Sequence, residues 1–153
     1  MYSRSEEKEL KKNFWQSFGN YCELQPAMRK NKRHWILYNT KIKGLELKFD
    51  VTRNGAYVIL ELNDKDEDRR LEMYEKLQSC RLILQEKMGD NELFWDLVHE
   101  KPLGEQVSRV YVCQKGIDFH RTSDWGVFFQ FMYKNMLSME QFFKEIREIF
   151  IEE

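Results

Sequence analysis

Residues Phe49 to Asp64 read FDVTRNGAYVILELND, and the way this stretch folds decides the rest of the chain. Just upstream, Leu45, Leu47, Phe49 and Val51 alternate with Glu46, Lys48 and Asp50. That is the period-two pattern of a strand with one buried face. Ala56 to Leu62 is rich in β-branched and apolar residues and reads as its partner. Asn54-Gly55 between them signals a two-residue hairpin, because a type I′ turn needs positive φ at both central residues. Such a loop predicts Val51 opposite Val58, Phe49 opposite Leu60 and Leu47 opposite Leu62, all on an apolar face. The other face then sets Asp50 against Ile59, Lys48 against Glu61 and Glu46 against Asn63. Carboxylates and a lysine thus share one side of the hairpin.

Working outward, Ser3 and Glu6 stand at capping-box spacing ahead of Leu10, Phe14, Phe18 and Tyr21, which recur at helical intervals. Gln25-Pro26 closes that helix. After a basic loop, HWILYN (His34–Asn39) reads as a short strand. Downstream of the hairpin, Asp64 and Glu67 cap a long helix whose stripe is Tyr74, Leu77, Leu84 and Met88 and which ends at Gly89. Arg81 falls within that stripe and must snorkel or find a partner. ELFWDLV (Glu92–Val98) and VSRVYVC (Val107–Cys113) predict two further strands, joined around Pro102 and Gly104. Trp125, Phe128, Phe129, Met132, Tyr133 and Met136 mark one broad helical face. Ser138 and Gln141 then predict the start of a last helix carrying Phe142, Phe143, Ile146, Ile149 and Phe150, with Leu137 and Phe142 as its staple. The expected fold is α+β: an antiparallel-rich sheet of about five strands packed by helices, in the order α-β-β-β-α-β-β-α-α.

The length of 153 residues predicts one domain, 1–153. Apolar residues make up 42% and charged residues 33%, as in a globular chain. Eleven Phe, seven Tyr and four Trp must mostly enter a core or a partner. A net charge of −1 argues against a generic nucleic-acid coat or a membrane-surface binder. No apolar run approaches the length of a bilayer span, and the start MYSRSEEKEL lacks a signal-peptide core. Cys22, Cys80 and Cys113 are three, odd and far apart, which predicts reduced thiols and a cytoplasmic setting.

Two stretches bear on chemistry. Metal-dependent nucleases of the restriction-endonuclease type need an acidic residue on one strand and D/E-x-K on the next, so that carboxylates hold Mg²⁺ and the lysine helps activate water. Glu61 falls where the D/E of that motif would stand, but position 63 is Asn63. Lys48 across the hairpin could supply the missing cation, and Glu46 a second carboxylate. The plain reading is a cross-strand ion pair on a polar face, contributing under about 1 kcal/mol. The second stretch, RKNKRHW, offers Arg29, Lys30, Lys32, Arg33 and Trp35 to grip phosphate and stack a base. A solvated connection is the plain reading there. His34, His99 and His120 have no metal-ligand spacing, no metal site is expected, and no cysteine has a sequence-adjacent base. Arg81 and Arg109 could join Glu61 or Asp96 in a buried polar cluster.

The ordered set FWQSFGNY (Phe14–Tyr21), Trp35 with Tyr38, ILELND (Ile59–Asp64), a long helix, LFWDLV (Leu93–Val98), SRVYV (Ser108–Val112) and SDWGVFFQF (Ser123–Phe131) resembles the bacterial family known as domain of unknown function 4268. The resemblance covers nearly the whole chain and implies an α+β fold and a cytoplasmic protein, with no established activity. Longer members resemble nuclease-like proteins that carry this unit at the C-terminal end, which hints at DNA transactions or defence. The function expected is a non-catalytic binding or protein-interaction module without cofactors, with a homodimer through the aromatic C-terminal helices as one form. The alternative is a divergent or inactive restriction-endonuclease-like nuclease or nucleic-acid-binding protein, and only that alternative calls for Mg²⁺.

Overall fold

The structure is a computed structural model that describes residues 2–26 and 40–151. Helix α1 spans Arg4–Glu23. Its capping box forms: the Ser3 hydroxyl accepts the Glu6 N–H at 3.2 Å, and the Glu6 carboxylate accepts the Ser3 N–H at 3.4 Å. Strands β1 (Leu45–Val51) and β2 (Gly55–Leu62) follow, then α2 (Glu67–Ser79) and α3 (Arg81–Met88). Strands β3 (Phe94–Glu100) and β4 (Gln106–Lys115) precede a 3₁₀ turn at Thr122–Asp124. Helix α4 (Trp125–Ile146) runs into a second 3₁₀ turn at Arg147–Phe150. The strands form one antiparallel sheet in the order β1-β2-β4-β3.

The α+β class and the antiparallel sheet stand, but the described residues give four strands and not five, in the order α-β-β-α-α-β-β-α. The expected strand at His34–Asn39 lies outside the described residues. The expected long helix is two helices, broken at Cys80. The Ser79 hydroxyl donates to the Lys76 carbonyl, the acceptor that the Cys80 N–H would need to continue the helix. The Cys80 N–H bonds Leu77 O at 3.0 Å, which tightens the last turn. Arg81 therefore opens α3 and donates to Gln78 O from an exposed position, outside any cluster with Arg109. The cap of α2 is Asp66, accepting from the N–H groups of Asp68 at 3.0 Å and Arg69 at 3.3 Å. At the C-terminal end the correction runs the other way, because the two expected helices are one. Ser138 caps nothing, and its hydroxyl donates back to Lys134 O at 3.3 Å inside α4.

The hairpin keeps its faces and changes its register. Val51 faces Ala56, Phe49 faces Val58, Leu47 faces Leu60 and Lys48 faces Ile59. Each pairing lies two residues from expectation, because four residues, Thr52 to Gly55, turn the chain. The Thr52 hydroxyl accepts the N–H groups of Asn54 and Gly55, each at 3.0 Å, and the Thr52 N–H bonds Gly55 O at 2.9 Å. Neither Asn54 nor Gly55 has positive φ. Gly55 serves the sheet instead: a Cβ there would stand 2.4 Å from the carbonyl oxygen of Gln114 on β4.

Leu45, Leu47, Val51, Ala56, Val58, Leu60, Leu62, Val110 and Val112 face the helices in one core. Phe14 sits at its centre, fully buried, with the rings of Trp15, Phe119, Trp125, Phe128 and Phe129 at centroid distances of 5.2 to 6.5 Å. Phe128, Met132, Met136, Met139, Phe142 and Phe143 of α4 are interior too. Each such side chain contributes about 1.5–3 kcal/mol by leaving water. Of the aromatics that suggested a dimer groove, Phe128, Phe129, Phe142, Phe143 and Phe150 are buried in this core, while Trp125 and Tyr133 are partly buried against it.

Candidate functional site

Alternation along the strands sends a second set of side chains to the face away from that core. In register across β1, β2, β4 and β3 stand Glu46, Glu61, Arg109 and Asp96. The neighbouring row is Lys48, Ile59, Tyr111 and Phe94. Ile59 is buried yet lies outside the main core cluster.

Glu61 is the hub. Its side chain is 4% exposed, and one carboxylate oxygen, Oε2, meets three donors. Asn63 Nδ2 lies at 2.9 Å, Lys101 Nζ at 3.1 Å and Lys48 Nζ at 3.2 Å. Lys48 Nζ also lies 3.4 Å from Glu46 Oε2. Burial pushes the Glu61 carboxyl up, but the Asn63 amide and the two ammonium groups outweigh it and hold the pKa below its ordinary value. For Lys48, burial works to lower the pKa, and Glu61 with Glu46 reverses the sign and raises it. The predicted trio Glu46, Lys48 and Glu61 is thus brought together. Lys101 joins it from the loop between β3 and β4, forty residues along the chain from Glu61. No spacing pattern could have announced that contact.

Beside the hub, Arg109 Nε donates to Asp96 Oδ2 at 3.0 Å, one of the polar pairings the sequence suggested. The Arg109 guanidinium lies 4.5 Å from the Tyr111 ring centre. Phe94 stacks on Tyr111 at 5.3 Å and 20°. Tyr57 tilts against Tyr111 at 5.8 Å, and its hydroxyl is 2.6 Å from Lys115 Nζ. These rings are half-buried, so each keeps a surface to offer.

The chemistry open to this face follows from its occupancy. The ammonium of Lys48 sits between the Glu46 and Glu61 carboxylates, where a cation shared by them would go. Among the described residues no group of three His, Cys, Asp or Glu side chains is placed to hold a metal ion. Burial pushes the Cys22 thiol up to about 12, far from thiolate chemistry at neutral pH. Arg29, Lys30, Lys32, Arg33 and Trp35 lie outside the described residues, as does His34. No helix among the described residues is long and apolar enough to cross a membrane.

Residues 10–147 match the family model described as "Domain of unknown function (DUF4268)". No curated protein and no solved structure matches the chain.

Proposed function

The chain belongs to the family described as domain of unknown function 4268, and on that premise, which carries no activity with it, we propose that it is a non-catalytic binding module that docks a protein partner on the outer face of its sheet. The observation that carries this reading is the ledge of Phe94, Tyr111 and Tyr57 with Arg109 laid over it. Tyrosine and arginine are the side chains that most often anchor protein interfaces. The cations of this face are already engaged: Lys48 and Lys101 by Glu61, Arg109 by Asp96 and Lys115 by the Tyr57 hydroxyl. Among the described residues of this face, every cation but Lys115 is paired with a carboxylate, which favours a protein over a nucleic acid. The three cysteines are free thiols, in keeping with a cytoplasmic setting.

A second reading, a divergent Mg²⁺-dependent nuclease, draws on the convergence of Glu46, Lys48 and Glu61. One assay separates the two. Purified protein is incubated with labelled single- and double-stranded DNA and RNA in Mg²⁺ or Mn²⁺, beside Glu61→Gln. The binding module leaves every substrate intact. Cleavage that disappears in the variant establishes the nuclease and overturns the first reading. The docking face is tested in native cells with a photo-crosslinking residue in place of Tyr111, and a control in place of exposed Ile83 on α3. The expected result is a discrete adduct from position 111 alone that is lost on Arg109→Glu. Equal labelling at both positions removes the ledge from consideration.

A further inference from the structure

A second concentration of charge lies away from the sheet face. A cavity of about 280 Å³ is lined by four cations, Lys41, Lys43, Arg69 and Arg147, and by the apolar Ile42, Phe150 and Ile151. The cations come from three separate segments: the loop before β1, the first turn of α2 and the turn after α4. No acidic side chain is among the described residues that line it. Arg69 is held by Asp64 at 2.9 Å. Lys43 and Arg147 have no ion-pair partner among the described residues. Like charges gathered around a concave surface repel one another and focus a positive potential into it, so the arrangement suits an anion.

The loop that presents Lys41 and Lys43 is built with some strain. Thr40 is buried, and its hydroxyl donates to Leu45 O at 2.7 Å and accepts the Ile42 N–H at 3.1 Å. The Asn63 N–H bonds Gly44 O at 2.8 Å. Gly44 sits at φ +82°, where an added Cβ would meet the Asp64 Cβ at 2.9 Å. Lys41 itself holds φ +62°, a conformation that residues with side chains seldom adopt. The loop that carries Lys43 into the cavity lining is thus pinned on both sides, by Thr40 to Leu45 and by Gly44 to Asn63.

We propose that this cavity binds a phosphate group, free or carried on a small organic body of mononucleotide size. The phosphate oxygens lie between Lys43 and Arg147 in charge-assisted hydrogen bonds, and the organic part rests on Ile42, Phe150 and Ile151. The volume of about 280 Å³ lies just under the usual range of ligand sites, which run from about 300 Å³ upward, and suits a small ligand. The site is independent of the sheet face and stands whether or not a partner docks there.

The test is calorimetric titration of the full chain with inorganic phosphate, pyrophosphate and adenosine monophosphate at low and high salt. Glu152 and Glu153 follow Ile151 in the sequence. A Glu152→Gln/Glu153→Gln variant is therefore titrated in parallel, so that a tethered carboxylate cannot hide a weak ligand. Pyrophosphate is expected to bind, to weaken with salt, and to weaken at least tenfold in Arg147→Gln and again in Lys43→Gln. Lys12→Gln, at an exposed position on α1, should leave it unchanged. Adenosine monophosphate binding tighter than phosphate, with the advantage lost in Ile151→Ser, assigns the nucleotide-like source; equal affinities assign the free anion. Absence of binding at millimolar ligand in both backgrounds overturns the proposal. So does binding that Arg147→Gln and Lys43→Gln leave untouched while their melting temperatures match the parent.

Discussion

Glu61 shows how much one buried carboxylate can organise. Its folded pKa lies below the ordinary value of 4.5, so it stabilises the fold above that pH and the contribution is lost as pH falls through the folded pKa. Glu61→Gln keeps the shape and removes the charge that Lys48 and Lys101 share. Urea midpoints at pH 7 are expected to show a loss of about 1–3 kcal/mol. The gap to the parent should narrow as pH falls below 4.5 and close once the native carboxylate is itself protonated; a gap that persists at the acid end would make the role purely steric. Gly55 is a second position where single atoms decide. With a Cβ placed 2.4 Å from Gln114 O, Gly55→Ala must push β2 from β4. The expected cost is about 2–4 kcal/mol in the same measurement.

At the scale of elements, serine and threonine hydroxyls decide most of what periodicity leaves open. Ser3 caps α1, Ser79 helps to end α2, Ser138 rides inside α4 and Thr52 widens the hairpin. Each hydroxyl can serve a helix start, a carbonyl one turn back or a turn, and the local sequence looks alike in all of these cases. That is why the strands and their faces were legible while the helix count and the register were not. Alternation of apolar residues belongs to one strand at a time, whereas the choice made by a hydroxyl depends on what the rest of the fold buries. Met139 and Glu140 after Ser138 are both buried, which keeps α4 running past its apparent cap. The trio Glu46, Lys48 and Glu61 was legible because it shares a face whatever the register. Lys101 was not, since a loop delivers it. A paired measurement checks the roles of the serines. Ser3→Ala should cost about 0.5–1 kcal/mol as a true cap, and Ser138→Ala should stay within about 0.5 kcal/mol of the parent. Equal costs would mean that both hydroxyls act alike.

At the scale of the molecule, the aromatic surplus is a packing device. Phe14 joins α1 to α4 and to the loop holding Phe119 through a ring cluster, and the Trp125 indole donates to Phe119 O at 2.7 Å to finish it. Phe14→Ala opens a void where several elements meet, so about 3–5 kcal/mol is expected from thermal or urea unfolding. The loss should come as a single cooperative transition, because sheet and helices share this core. A two-step transition would show that α1 docks separately.

The hairpin holds a consequence for how this fold is reached. Its two-residue and four-residue loops place every side chain on the same face, so the sliding chain meets no hydrophobic penalty between them. The tighter pairing is thus a rival that apolar burial alone does not reject in the isolated hairpin. β4 adds a constraint of its own, since it pairs along the whole of β2 from Gly55 and leaves no room for a Cβ there beside Gln114 O. Until β4 arrives, its first residue Gln106 lying 44 positions after Leu62, the nascent chain has two ways to be right about its faces and one way to be right about its neighbours.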